Sequence, residues 1–115
     1  MNTLRNNVQL VGHLGKDVEF KSLDNGNSLA KFSLATNDYF KNAQNERVQE
    51  TQWHNIVAWG KTAELMNSML SKGSEVMVRG KLVTRSYDDK EGQKKYITEV
   101  SANEFICFDK KSEPF

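Results

Sequence analysis

The chain has 115 residues, 37% hydrophobic and 27% charged, the size and balance of one soluble globular domain able to bury a core. Its 16 basic and 15 acidic residues leave a net charge of +1, so any electrostatic grip on a polyanion must come from local arrangement. The single Cys107 excludes a disulfide within the chain, and the polar residues 1–7 lack the apolar run of a signal peptide or membrane span, which gives a reducing cytoplasm as the expected compartment.

Residues 6–14 place Val8, Leu10 and Leu14 on one face of a first strand and Val11 on the other, with Gly12 and Gly15 marking a bend or bulge. Asp24-Asn25-Gly26 is a turn signal, because Asn and Gly tolerate positive φ. Beyond it Ala30, Phe32, Leu34 and Thr36 alternate with Lys31, Ser33, Ala35 and Asn37, which predicts a half-buried second strand. Residues 38–50 turn polar and predict a long exposed hairpin loop, of a length that often carries function. In the third strand Trp53 and Trp59 are six residues apart, so they share a face about 20 Å from one another, while His54, Ile56 and Ala58 take the other face.

Residues 62–72 carry Leu65, Met66, Met69 and Leu70 at helical spacing, and Gly73 stands where a left-handed cap belongs. Both methionines are assigned to helix packing. Residues 75–85 then alternate, with Val76, Val78 and Leu82 on a core face and Arg79, Lys81, Val83 and Arg85 on a basic one that Tyr87 continues. Residues 88–95 form a charged hairpin tip around Gly92, and 96–108 close the domain as a last strand that turns continuously apolar from Phe105 to Phe108.

Five strands with one helix between the third and fourth is the order of the OB-fold, an all-β, partly open five-stranded Greek-key barrel that binds oligonucleotides or oligosaccharides. The expected domain is 1–109, followed by a short tail, 110–115. A row of two tryptophans on a strand suits the stacking of unpaired bases; it equally suits a core face, because a sheet buries one side and Trp is large and apolar. The alternating basic face is by itself a solvated sheet surface as readily as a phosphate track.

Enzymatic chemistry finds no support. Gly60-Lys61-Thr62 at a strand-to-helix junction resembles the end of a phosphate-binding loop, but Asn55 stands where that loop needs glycine, and Trp59 fills the place where backbone must curl round phosphate. Gly12-His13-Leu14-Gly15-Lys16-Asp17 fails on glycine spacing and on Asp17 in place of a hydroxyl. One Cys and two unrelated His supply neither a zinc site nor a nucleophile pair, so no enzyme, metal, cofactor or small-molecule substrate is expected.

The run Glu50-Thr51-Gln52-Trp53-His54, then Trp59-Gly60-Lys61 and the helix, resembles the bacterial single-stranded DNA-binding protein family. The likeness extends through residues 6–17, 25–36 and 72–100. It implies a homotetramer that coats single-stranded DNA in replication, recombination and repair, and a cytoplasmic, nucleoid-associated location. It implies base stacking on Phe40, Trp53, Trp59 and Tyr87, and phosphate contacts from Lys61, Lys72 and Arg85; Arg79 and Lys81 are added from the face analysis alone. Stacking needs only a flat π-face and ignores base identity, so binding would be sequence-independent. His54 matches a histidine at a subunit contact.

Typical family members continue into a long linker ending in an acidic tip that docks on replication and repair proteins. This sequence ends Glu113-Pro114-Phe115, so Pro114 and Phe115 are candidates for docking such partners, although Lys110 and Lys111 replace acidic residues. Two rival readings are a dimeric primosomal adaptor of the same fold, and a protein-interaction OB domain using the aromatic face as a docking patch. RNA remains an alternative ligand, because stacking platforms accept both polymers.

Overall fold

The computed structural model describes residues 4–23 and 25–108. Among these, the elements are β1 (Val8–Leu14), β2 (Glu19–Ser22), β3 (Ser28–Lys41), β4 (Arg47–Trp59), α1 (Gly60–Met69), β5 (Glu75–Asp88) and β6 (Lys94–Cys107). They join one sheet in the order β1-β5-β6-β4-β3-β2, antiparallel except where β4 meets β6. A further pairing, His13 with Ala35 and Leu14 with Leu34, brings β1 back to β3 and closes the five long strands into a barrel. This is the OB-fold.

Strand alternation sorts the side chains. Ala30, Phe32 and Leu34 of β3, Ile56 and Ala58 of β4, Val76 and Val78 of β5, and Val100 and Ala102 of β6 all turn inward to one core with Leu14. The helix α1 packs against β3 and β4, contributing Ala63 and Met66, and Leu70 just beyond its end joins the same cluster. Fully burying a side chain such as Met66 or Leu34 stabilises the fold by about 1.5–3 kcal/mol. Gly73 (φ 90°) turns the chain from α1 toward β5 in the left-handed region, as its position suggested.

The structure corrects the sequence reading in four places. A sixth strand, β2, pairs with the start of β3 outside the closed ring; with Phe20 its single large apolar residue, it carries almost no periodic signal. Residues 38–50 are mostly paired backbone rather than loop: β3 and β4 stay in register from Leu29 with Trp59 out to Lys41 with Arg47, so a long arm projects from the barrel. The arm has no core to face, hence no hydrophobic alternation to read. Its turn is tied by Asn42, whose Oδ1 accepts the N–H groups of Gln44 and Glu46.

Leu82 is exposed instead of core, because β5 passes the barrel rim after the register shift at Arg79/Gly80 and runs on as a second arm with β6. The helix spans 60–69 instead of 62–72. Leu70 is already extended, and Leu65 and Met69 face outward while Ala63 and Met66 hold the packing face.

Candidate nucleic-acid interface

Because Ile56 and Ala58 turn inward on β4, Trp53 and Trp59 must turn out, and they are 61% and 52% exposed. Of the two readings of this row left open by the sequence, the core reading is thereby removed. Trp53 lies across from Ala35 and Trp59 across from Leu29 on β3. The Trp53 ring rests on Gly15, where an added Cβ would come 2.6 Å from its Cζ3 atom, so the segment after β1 seats the indole while leaving most of it open.

The same outer face continues round the barrel. Lys31, Val57, Ser101 and Lys81 are register partners across β3, β4, β6 and β5 and form one transverse row. Beside it, Lys31, Asn55, Val57, Arg85, Ile97 and Glu99 border a groove of about 210 Å³. Tyr87, two residues beyond Arg85 on the same face of β5, is 47% exposed.

Charge on this face is partly spoken for. Arg85 donates from Nε and Nη2 to the two oxygens of Glu99, at 3.1 and 3.2 Å, and the Glu99 carboxylate is itself buried. The hydrogen bond first, and the attraction second, raise the Arg85 pKa above its already high ordinary value, so the guanidinium stays charged with its charge balanced from below. Lys81 is exposed. Lys61 is exposed in the first turn of α1, two residues after Trp59, and Lys72 is exposed in the turn following the helix, its N–H donating to Asp17 Oδ1 at 2.8 Å.

Two of the sequence candidates stand elsewhere. Arg79 is ion-paired with Glu104 and borders a second groove with Gln9, Met77, Phe105 and Ile106, all from β1, β5 and β6. Phe40 is 48% exposed but pairs with Val48, on the face of the β3–β4 arm opposite Trp53. His54, half-buried on the inner side of β4, has Nε2 3.0 Å from Thr36 Oγ1. Pro114 and Phe115 lie outside the described residues.

The sequence reading missed Lys31, Asn55, Ile97 and Glu99 as groove residues. Lys31 and Asn55 were accessible by parity, since they share the outward face with the tryptophans. Glu99 carried no such signal; its role comes from a partner 14 residues away on another strand. Among the described residues, no three His, Cys, Asp or Glu side chains gather as a metal-binding group, and no helix is long and apolar enough to cross a membrane.

A closed barrel in this strand order, with one helix before β5, is the OB-fold architecture, and it carries open indoles and cations on its outer face. Residues 5–108 match the model of the Single-strand binding protein family. The chain is 47% identical over 105 residues to Single-stranded DNA-binding protein 1 of Chlorobaculum tepidum, which covers 90% of this chain and 62% of that relative's length. A solved structure of Plasmodium falciparum SSB in complex with ssDNA matches with a TM-score of 0.83 and 34% identity, over 90% of this chain and 95% of that one. The chain belongs to the single-strand binding protein family.

Proposed function

We propose that this protein binds single-stranded DNA without regard to sequence, coating and protecting it in replication, recombination and repair. The observation that carries the reading is the pair of half-open indoles on the outer face of β4, with Tyr87 on the same face of β5. Bases stack on Trp53, Trp59 and Tyr87, and Phe40 takes a base only from a strand that crosses to the far side of the arm. Each ring contributes about 1–3 kcal/mol, the general magnitude for single-strand-binding barrels. Lys61, Lys72, Lys81 and Arg85 meet phosphates; Arg79, balanced by Glu104 and turned to the other groove, is the weakest of the five candidates.

Such binding melts hairpins without fuel, because the protein favours the unpaired strand and shifts the equilibrium toward it. The role is that of a binding module and not an enzyme, acting in the cytoplasm at the nucleoid.

A homotetramer is part of the proposal. Val11, Met77 and Ile106 are register neighbours across β1, β5 and β6, and Val11 and Ile106 are exposed, an apolar row that a second copy would cover. His54 is proposed as a subunit contact by family likeness, and Pro114 and Phe115 as a docking point for replication and repair proteins. Sedimentation should give a four-subunit mass, where a dimer would favour the primosomal-adaptor role.

The decisive experiment is titration with oligo(dT) while tryptophan emission is followed. Stacking quenches the indoles strongly; an unchanged spectrum would overturn the reading and favour a protein-docking face. Competition by oligo(U) then measures the preference for DNA over RNA.

A further inference from the structure

The β3–β4 arm has two chemically opposite faces, and this divides the aromatics at positions 39 and 40. On the face shared with Trp53 stand Asn37, Tyr39 and Lys41 of β3, and Arg47, Gln49 and Thr51 of β4. On the other face Asp38 lies directly across from Glu50, next to Phe40. One side of the arm is basic and aromatic, the other acidic and aromatic.

Lys41 and Arg47 are direct register partners, two like charges opposed across the mouth of the hairpin, an arrangement that costs stability unless an anion lies between them. Among the described residues neither is in a salt bridge. The Arg47 guanidinium carbon sits 4.4 Å from the centroid of the Tyr39 ring, and that ring is 54% exposed. Tyr39 is four residues along β3 from Ala35, the partner of Trp53, which sets it about 13 Å beyond Trp53 on the same face. Trp59, Trp53 and Tyr39 therefore form one row.

We propose that Tyr39, Arg47 and Lys41 form a further nucleotide site, in which Tyr39 stacks one base of a single strand while Arg47 and Lys41 hold the phosphates on either side of it. The site rests on the single-strand-binding reading above and extends the path from the barrel onto the arm. Phe40 is the lesser contributor, because the Asp38–Glu50 pair beside it repels the backbone a strand must bring.

The test compares a short oligo(dT), able to span only Trp59 to Trp53, with one long enough to continue along the arm. Tyr39→Leu should weaken the long oligonucleotide about 5- to 150-fold and leave the short one unchanged, while Tyr39→Phe keeps wild-type affinity for both. Arg47→Gln should flatten the log–log salt dependence for the long oligonucleotide by about 0.7. Phe40→Leu should cost less than Tyr39→Leu. Equal affinity of Tyr39→Leu and wild type for the long strand, an unchanged salt slope in Arg47→Gln, or a larger loss from Phe40→Leu would each overturn the site. If wild-type tryptophan emission responds to neither oligonucleotide, the single-strand reading itself fails and takes this site with it.

Discussion

Across β3 and β4 the outward positions include Lys31, Ser33, Asn55, Trp53 and Trp59; across β1, β5 and β6 they are Gln9, Val11, Met77, Arg79, Glu104 and Ile106. One alternation rule builds both surfaces over one core, yet the first mixes open indoles with cations, whereas the second is an apolar row crossed by an internally balanced ion pair. The difference shows that a basic residue on a strand face says little about phosphate until its partner is known. Arg79 and Arg85 read alike in the sequence, six residues apart in one alternating run. In the fold, Arg85 borders the tryptophan-side groove and Arg79 the apolar one.

The harshest break of the first surface is removal of its indoles. Trp53→Ala and Trp59→Ala should each weaken oligo(dT) binding by about 1–3 kcal/mol, with the double change falling short of the sum, because neighbouring stacks on one strand are coupled. Fluorescence anisotropy with end-labelled oligo(dT) measures this without relying on the missing indoles. Both rings are mostly solvent-exposed, so melting should report only the small change typical of surface substitutions, about 0.5 kcal/mol. A collapse in stability would show that the rings serve packing instead.

The second surface is challenged by Ile106→Glu, which places a charge in the middle of the apolar row. If this face joins copies of the chain, an unpaired carboxylate buried there costs several kcal/mol, and sedimentation should show smaller particles than wild type. Short oligo(dT) should still quench Trp53 and Trp59 in the dissociated protein, since no residue of that row borders the tryptophan-side groove.

A gentler probe acts on the balance of charge at the groove. Glu99→Gln leaves the shape of the side chain and removes the charge that neutralises Arg85. The salt dependence of oligo(dT) binding should steepen by about 0.7 and affinity should rise at low salt, at some expense in stability. An unaltered slope would mean that Arg85 meets no phosphate.

What could be read in advance follows from the range of each interaction. The strand carrying Ile56 and Ala58 against Trp53 and Trp59 is fixed by its own period, so its division into two faces was legible, as were the helix before β5 and the turn at Gly73, whereas which face met the core came only from the packing of the barrel. Parity fails where the barrel ends. Leu82 looked like core because it continues the pattern of Val76 and Val78, but the register shift at Arg79/Gly80 and the rim lie between them. The arm over 38–50 was invisible as strand, because paired backbone with solvent on both sides imposes no hydrophobic period. Pairings such as Arg85 with Glu99 and Arg79 with Glu104 depend on cross-strand register, and a single sequence does not carry register directly.

The smallest effect separates the two arginine-bearing surfaces most finely. Lys81 lies in the transverse row with Lys31 on the tryptophan side, exposed and among the described residues without a salt bridge; Arg79, two positions back on the same strand, is bound to Glu104. Lys81→Gln should therefore lower the salt slope of oligo(dT) binding by about 0.7, the loss of one phosphate contact. Arg79→Gln should leave that slope where it was, since the cation it removes was already balanced and faces Gln9, Met77 and Ile106. Salt titrations of the two variants side by side check both. Equal slopes would mean that the polynucleotide path wraps far enough round β5 to reach the second surface, and the division of labour between the faces would have to be redrawn along that strand.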